Sequence, residues 1–202
     1  MLGLKVPVRE LGIALVVFLV AWWSARWILV DYVSSYLEVD PRNSLPALVQ
    51  QTFQVLNDEM VMRAALMTVC LRFVQRTAWA VVSMAAVFAL GHVALYGWLG
   101  TAMHLSTVIT LFSFGVVANT LFVRFGHIAY PFALHLAWNS HRFSTSYALD
   151  GTRLSPGQAF NLIEGNPAIT SGSVVVMLLV FSLFLRTIPP EVTTCKTLSH
   201  AR

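Results

Sequence analysis

Charge is what this chain is short of. Only 11% of its 202 residues are Asp, Glu, Lys or Arg, against roughly a quarter in an ordinary soluble domain. With 57% hydrophobic residues and a mean hydropathy of +0.70, the composition excludes a soluble globular enzyme and points to a polytopic membrane protein. Cysteine is scarce too. Cys70 sits in an apolar run and Cys195 in the tail, which excludes a disulfide framework and paired-thiolate metal spacing. Cys195 does not stand four residues from the end, so no prenylation signal is expected in the chain itself. Repeats, low-complexity tracts and linkers are also missing, so residues 1–202 read as one integral-membrane domain. The net charge of +4 falls mostly between apolar segments, which speaks for membrane topology and against nucleic acid as a partner.

What is present is a series of long apolar runs. Leu11 to about Val30 is long enough to cross a hydrocarbon core of roughly 30 Å. It is not read as a signal peptide, because Trp22, Trp23 and Trp27 crowd its far end and no small-residue cleavage site follows. A polar connection with Asp40, Pro41, Arg42, Asn43 and Pro46 leads to a second helix expected from about Ala47 to Phe73. Further spans are expected at Thr77–Leu99, Met103–Phe125, Ile128–Leu149 and Ile169–Ile188. Between the last two, Gly151, Pro156, Gly157, Gly165 and Pro167 mark Asp150–Pro167 as a loop. The expected fold is therefore all-α, a bundle of about six transmembrane helices in contact with lipid. Lys5, Arg9, Arg72, Arg76, Arg124, Arg186, Lys196 and Arg202 fall on one side of this division; Arg42, Arg142 and Arg153 fall on the other. That bias places both termini in the cytoplasm, as for a multi-pass protein of a bacterial inner membrane.

The chemistry lies in the few polar residues that interrupt these spans. An ionised side chain at bilayer depth costs about 2.5 kcal/mol or more, so such residues need partners and usually have a purpose. The second helix carries Asn57-Asp58-Glu59-Met60-Val61-Met62-Arg63. Glu59 and Arg63, four residues apart, lie within about 40° of each other and can pair, while Asp58 points elsewhere. The third helix carries Phe88-Ala89-Leu90-Gly91-His92, where Gly91 would permit close backbone approach. The fifth carries His135 and Asn139, one turn apart. Packing the second, third and fifth helices around one polar site satisfies all of these groups at once. His104, His127 and His141 fall near helix ends and read as interfacial.

The order Asp58-Glu59-x-x-x-Arg63, Phe88-x-x-x-His92, His135-x-x-x-Asn139 resembles the three signature motifs of the CPBP family, the CAAX-protease and bacteriocin-processing membrane proteases also called Abi. The likeness covers about residues 57–139. The run from Phe112, through Gly115 and the Arg124-Phe125-Gly126-His127 turn to Pro131-Phe132-Ala133-Leu134-His135, is similar to the family's approach to its last motif. Two departures stand out. The family usually has two glutamates where this chain has Asp58-Glu59, and Met62-Arg63-Ala64 replaces its common Phe-Arg-Gly.

The resemblance implies an intramembrane endopeptidase of the glutamic type, acting on a membrane-associated protein or peptide without a cofactor. Asp58 or Glu59 would activate water together with His92, Arg63 would hold the neighbouring carboxylate, and His135 with Asn139 would form an oxyanion hole. The substrate would be a C-terminal sorting or anchor segment, a leader peptide, or a CAAX-like tail. The chain's compact length suits a bacterial processing enzyme more than one acting on prenylated protein. A first alternative is a zinc peptidase using Glu59, His92 and His135 as ligands with an open position for water, although no His-Glu-x-x-His motif is present. A second is a non-catalytic bacteriocin-immunity or assembly protein, which the aspartate at position 58 favours. A solute or proton transporter would account for buried ionisable residues, but no repeat or broken-helix pair supports it.

Overall fold

The computed structural model describes residues 8–41, 45–74, 76–143 and 145–185. Lys5, Arg42, Asn43, Arg186, Cys195, Lys196 and Arg202 lie outside the described residues, as do the side chains of Asp40, His141 and Arg142. The first apolar run forms α1 (Val8–Arg26), prolonged by a π-helical stretch, Trp27–Tyr32, and a 3-10 turn, Val33–Ser35. The second helical run is continuous from Leu45 to Phe73: α2 (Leu45–Glu59), a π-helical segment at Met60–Met67, and α3 (Thr68–Phe73). Then come α4 (Thr77–Trp98), α5 (Leu105–Phe125) and α6 (Ala129–Phe143). These bounds follow the apolar runs closely, because a backbone without water must satisfy its polar groups internally. By length and composition, α4 and α5 are able to cross a membrane, and a bent pair further on makes a third. The chain is a predominantly helical membrane protein.

Two expectations need correction. The fifth helix does not run to Leu149. It ends at Phe143, and Thr145–Leu149 forms a strand, β2, paired antiparallel with β1 (Glu38–Pro41) and with β3 (Thr152–Arg153). Asp150 and Gly151, at φ 50° and 75°, supply the two positive dihedrals of a tight hairpin turn, where Asp-Gly is a favoured dipeptide. Tyr147 packs inward with Val33, Leu37, Ala159, Ile163 and Ile169. The pairing of β1 with β2 also brings the connection after the first run to the same end of the bundle as the connection after α6.

Nor is Asp150–Pro167 a plain loop. It contains a helix, α7 (Pro156–Glu164), bent by 65° from the helix that follows, α8 (Pro167–Leu185). The prolines and glycines read as breakers are here a helix start. Ser155 caps α7, its hydroxyl accepting from the Gln158 N–H at 3.3 Å while Gln158 accepts from the Ser155 N–H at 2.9 Å, and Pro156 occupies the first turn. Gly157 is required by packing, since a Cβ there would meet the Thr101 side chain at 2.5–2.8 Å. α7 is held by a buried polar seam. The Asn161 amide accepts from the His104 N–H and the Thr107 hydroxyl, each at 3.1 Å, and donates to the Ala102 carbonyl at 2.7 Å. The Thr110 hydroxyl donates to the Glu164 carbonyl at 2.7 Å, and the Trp138 indole N–H reaches the Glu164 carboxylate at 2.6 Å.

Gly91 has open space where a Cβ would stand, so no close contact of α4 is made there. A close contact of α4 and α5 is made at Gly115, where a Cβ would sit 3.1 Å from both Cα and Cβ of Ala85. Around that crossing Met67, Ala80, Val81, Met84, Ala85 and Val116 form an apolar core.

Candidate active site

Glu59 is the last residue of α2, and the π-helical segment begins immediately after it. A widened turn of this kind is rare and recurs at functional sites. It carries Arg63, and both side chains are fully buried. Their expected pairing is present: Arg63 Nη1 donates to Glu59 Oε1 at 2.9 Å. His135 of α6 reaches the same oxygen through Nδ1 at 2.8 Å. The guanidinium carbon of Arg63 lies 4.9 Å from the centre of the Phe88 ring of α4, within cation–π range.

The expected residues are thus partly gathered. Glu59, Arg63 and His135 are in direct contact. Asp58, the neighbouring carboxylate, is half-buried and within electrostatic reach of His135, Glu59 and Arg63. Asn139 is buried one turn along α6 from His135. His92 meets the cluster by way of Phe88, whose ring centre is 4.5 Å from that of His92 and 6.2 Å from that of His135. His92 Nδ1 lies 2.9 Å from the Phe88 carbonyl. A carbonyl only accepts, so Nδ1 carries the proton and in the neutral ring Nε2 is the basic nitrogen. His104 is exposed just before α5, and His127 is half-buried in the turn before α6, so neither joins the cluster.

One member was not anticipated. Asn119 of α5, 1% exposed, accepts from Arg63 Nε at 3.2 Å and donates from Nδ2 to the Val81 carbonyl of α4 at 3.1 Å. The signal was available, because an amide within an apolar span is the same anomaly that singled out Asn139. Phe114 likewise packs edge-on against His135 at 5.2 Å.

Two atoms at the centre are left over. Glu59 Oε2 and Arg63 Nη2 are buried and have no hydrogen-bond partner among the described residues. Buried polar atoms are rarely left so, and where they are, a functional partner is a common reason. A zinc site would require Glu59, His92 and His135 to converge on one ion. Among the described residues no three His, Cys, Asp or Glu side chains stand together as a metal nest, and Glu59 Oε1 is already engaged by Arg63 and His135.

No curated protein and no solved structure matches the chain. The family model described as type II CAAX prenyl endopeptidase Rce1-like matches residues 41–141, half of the chain and an interval that holds all three motifs, and the chain belongs to that family, as those motifs implied.

Proposed function

We propose that the chain is a single-domain intramembrane endopeptidase that hydrolyses a peptide bond in the tail of a membrane-anchored protein. The observation that carries this reading is the buried Glu59–Arg63–His135 cluster with Glu59 Oε2 and Arg63 Nη2 left unpartnered. A purely structural ion pair gains nothing from orphaned atoms at its centre, whereas a water or a substrate carbonyl would complete them. Membership of the Rce1-like family makes a prenylated CAAX-type tail the first substrate to test, ahead of leader peptides and sorting signals. Six membrane crossings with cytoplasmic termini suit the distribution of basic residues, and the β1–β2 pairing supports it by joining two connections assigned to one side. A bacterial inner membrane is the proposed location.

In the proposed reaction Asp58 and the basic Nε2 of His92 hold the attacking water, and Asp58 takes its proton and returns it to the leaving amine nitrogen as the C–N bond breaks. Glu59, fixed by Arg63, orients His135 through Nδ1. Asn139 and His135 then donate to the oxyanion of the tetrahedral intermediate. Donation from His135 Nε2 while Nδ1–H is bonded to Glu59 requires a doubly protonated ring, and the Glu59 carboxylate together with the oxyanion itself supplies the compensating charge. The short aspartate at position 58 makes the role of base the sharpest question. Glu59 is its alternative, with Oε2 open.

The test uses the full-length chain in membranes and an internally quenched peptide ending in a farnesylated Cys-aliphatic-aliphatic-X sequence. We expect cleavage, with Asp58→Asn, Glu59→Gln, His92→Ala and His135→Ala each lowering kcat/KM by about 10²–10⁴-fold at normal abundance, insensitive to a zinc chelator. Chelator-sensitive cleavage restored by zinc would replace this mechanism with the metal one. Cleavage persisting in all four variants would remove the site assignment. Failure of the parent to cleave this peptide, its unprenylated form or a leader peptide would favour the non-catalytic scaffold.

A further inference from the structure

Asn119 belongs to none of the three motifs, yet both ends of its amide are spent on the cluster and its frame. Its oxygen accepts from Arg63 Nε at 3.2 Å, and its nitrogen donates to the Val81 carbonyl at 3.1 Å. That carbonyl lies within α4, where intrahelical bonding already uses it, so the amide is a second donor to a lone pair that needs none. The bond therefore serves Asn119, by fixing the plane of its amide. Reaching Val81 needs α4 and α5 to run close, and one turn earlier Gly115 meets Ala85 where a Cβ would be only 3.1 Å away. Gly115 sets the spacing that Asn119 uses.

The consequence falls on the guanidinium. Arg63 is anchored at three points: Nη1 on Glu59 of its own helical run, Nε on Asn119 of α5, and Cζ over the Phe88 ring of α4. The bond to Glu59 alone leaves the guanidinium free to turn about it. The Nε bond, made by a fixed amide, supplies the second hydrogen bond that sets the rotation of the plane against the Phe88 ring. That rotation determines where the unpartnered Nη2 points and how Glu59 Oε1 is shared with His135. We infer that Asn119 is a positioning residue that orients Arg63, and through it the Glu59 carboxylate, across the α4–α5 contact made possible by Gly115.

The kinetic part of the test rests on the proteolytic reading; the other part does not. In the full-length chain, Asn119→Leu keeps the volume and removes both bonds, while Asn119→Asp keeps an acceptor for Arg63 Nε. With the farnesylated quenched peptide, Asn119→Leu is expected to lower kcat about 10–100-fold with KM within about threefold, and Asn119→Asp to restore kcat to within about fivefold of the parent. Thr120→Val, which removes a buried hydroxyl that among the described residues bonds within its own helix, should stay within about twofold. In parallel, proton exchange at the Arg63 Nε–H is followed by NMR of arginine-labelled protein, with Arg63→Lys identifying the signal. We expect strong protection in the parent and in Asn119→Asp, and its loss in Asn119→Leu. Retained protection in Asn119→Leu, or a kcat no different from the Thr120→Val control, would overturn the inference. If the parent cleaves nothing, the proteolytic reading fails, and the exchange result alone decides whether Asn119 orients Arg63.

Discussion

Among the described residues two buried polar clusters stand apart, and they are built to opposite rules. Around α7, Asn161 uses its oxygen twice and its nitrogen once, Thr110 bonds the Glu164 carbonyl, and Trp138 bonds the Glu164 carboxylate. No atom of these side chains is among the buried groups left unpartnered. Around the π-helical turn of the second run, by contrast, Glu59 Oε2 and Arg63 Nη2 are left over, and so are both amide atoms of Gln51 two turns earlier. The first cluster behaves as a fastener, replacing water for a bent helical pair. The second carries unused hydrogen-bonding capacity at its centre, which costs stability and is kept where a transient partner repays it. Burial of charge alone would not distinguish the two, since each contains a carboxylate less than 4% exposed.

The largest effect that separates them is expected from Arg63→Met. It leaves the fully buried Glu59 carboxylate without its cation, a loss of about 3–5 kcal/mol. In a Glu59→Gln background the same substitution should cost much less, because no buried charge is then stranded. Thermal unfolding of the four members of this cycle in detergent measures the coupling. Additive losses would mean that Glu59 and Arg63 are not a charge pair in the folded protein, and the contrast with the α7 seam would collapse.

How far the sequence reached differs between the clusters for a physical reason. Spans bounded at Phe73, Thr77 and Phe125 were legible because apolar runs must form helices in lipid and polar junctions must end them. The Glu59–Arg63 pair was legible because a four-residue spacing brings side chains together even across a π-helical turn. The amide of Asn119 was visible as a polar group in an apolar span, but its role was not, because that depends on how closely α4 and α5 pack at Gly115. The α7 region was misread because breaker residues were counted without their positions. Ser155-Pro156-Gly157-Gln158 starts a helix, and Asp150-Gly151 closes a hairpin. The end of α6 was overrun because Tyr147 and Leu149 are as apolar in a strand as in a helix, and only the Asp-Gly that follows reports the change of period.

A smaller effect, of opposite kind, is expected in the seam. Asn161→Ala strands the His104 N–H and the Ala102 carbonyl and deprives Thr107 of its acceptor, for a loss of about 2–3 kcal/mol. The protein that remains folded should cleave with kcat within about threefold of the parent. A kcat loss as large as that of Glu59→Gln would place the seam in the active machinery and erase the distinction between fastener and site.

The smallest effect is the most discriminating, because its sign is reversed. Gln51 lies on the face of α2 that Glu59 shares, eight residues away, and is 1% exposed with neither amide atom bonded among the described residues. A structural glutamine loses stability when replaced. An unpartnered one gains it, because the substitution removes a desolvated polar group without stranding another. Gln51→Leu is therefore expected to raise stability by about 1 kcal/mol in thermal unfolding. If the amide serves an extended substrate running along α2 from Glu59, the same variant raises KM several-fold and leaves kcat alone. A loss of stability would show that Gln51 is already satisfied in the folded protein, and on the second helical run the unused hydrogen-bonding capacity would then rest with Glu59 and Arg63, where the proposed chemistry needs it.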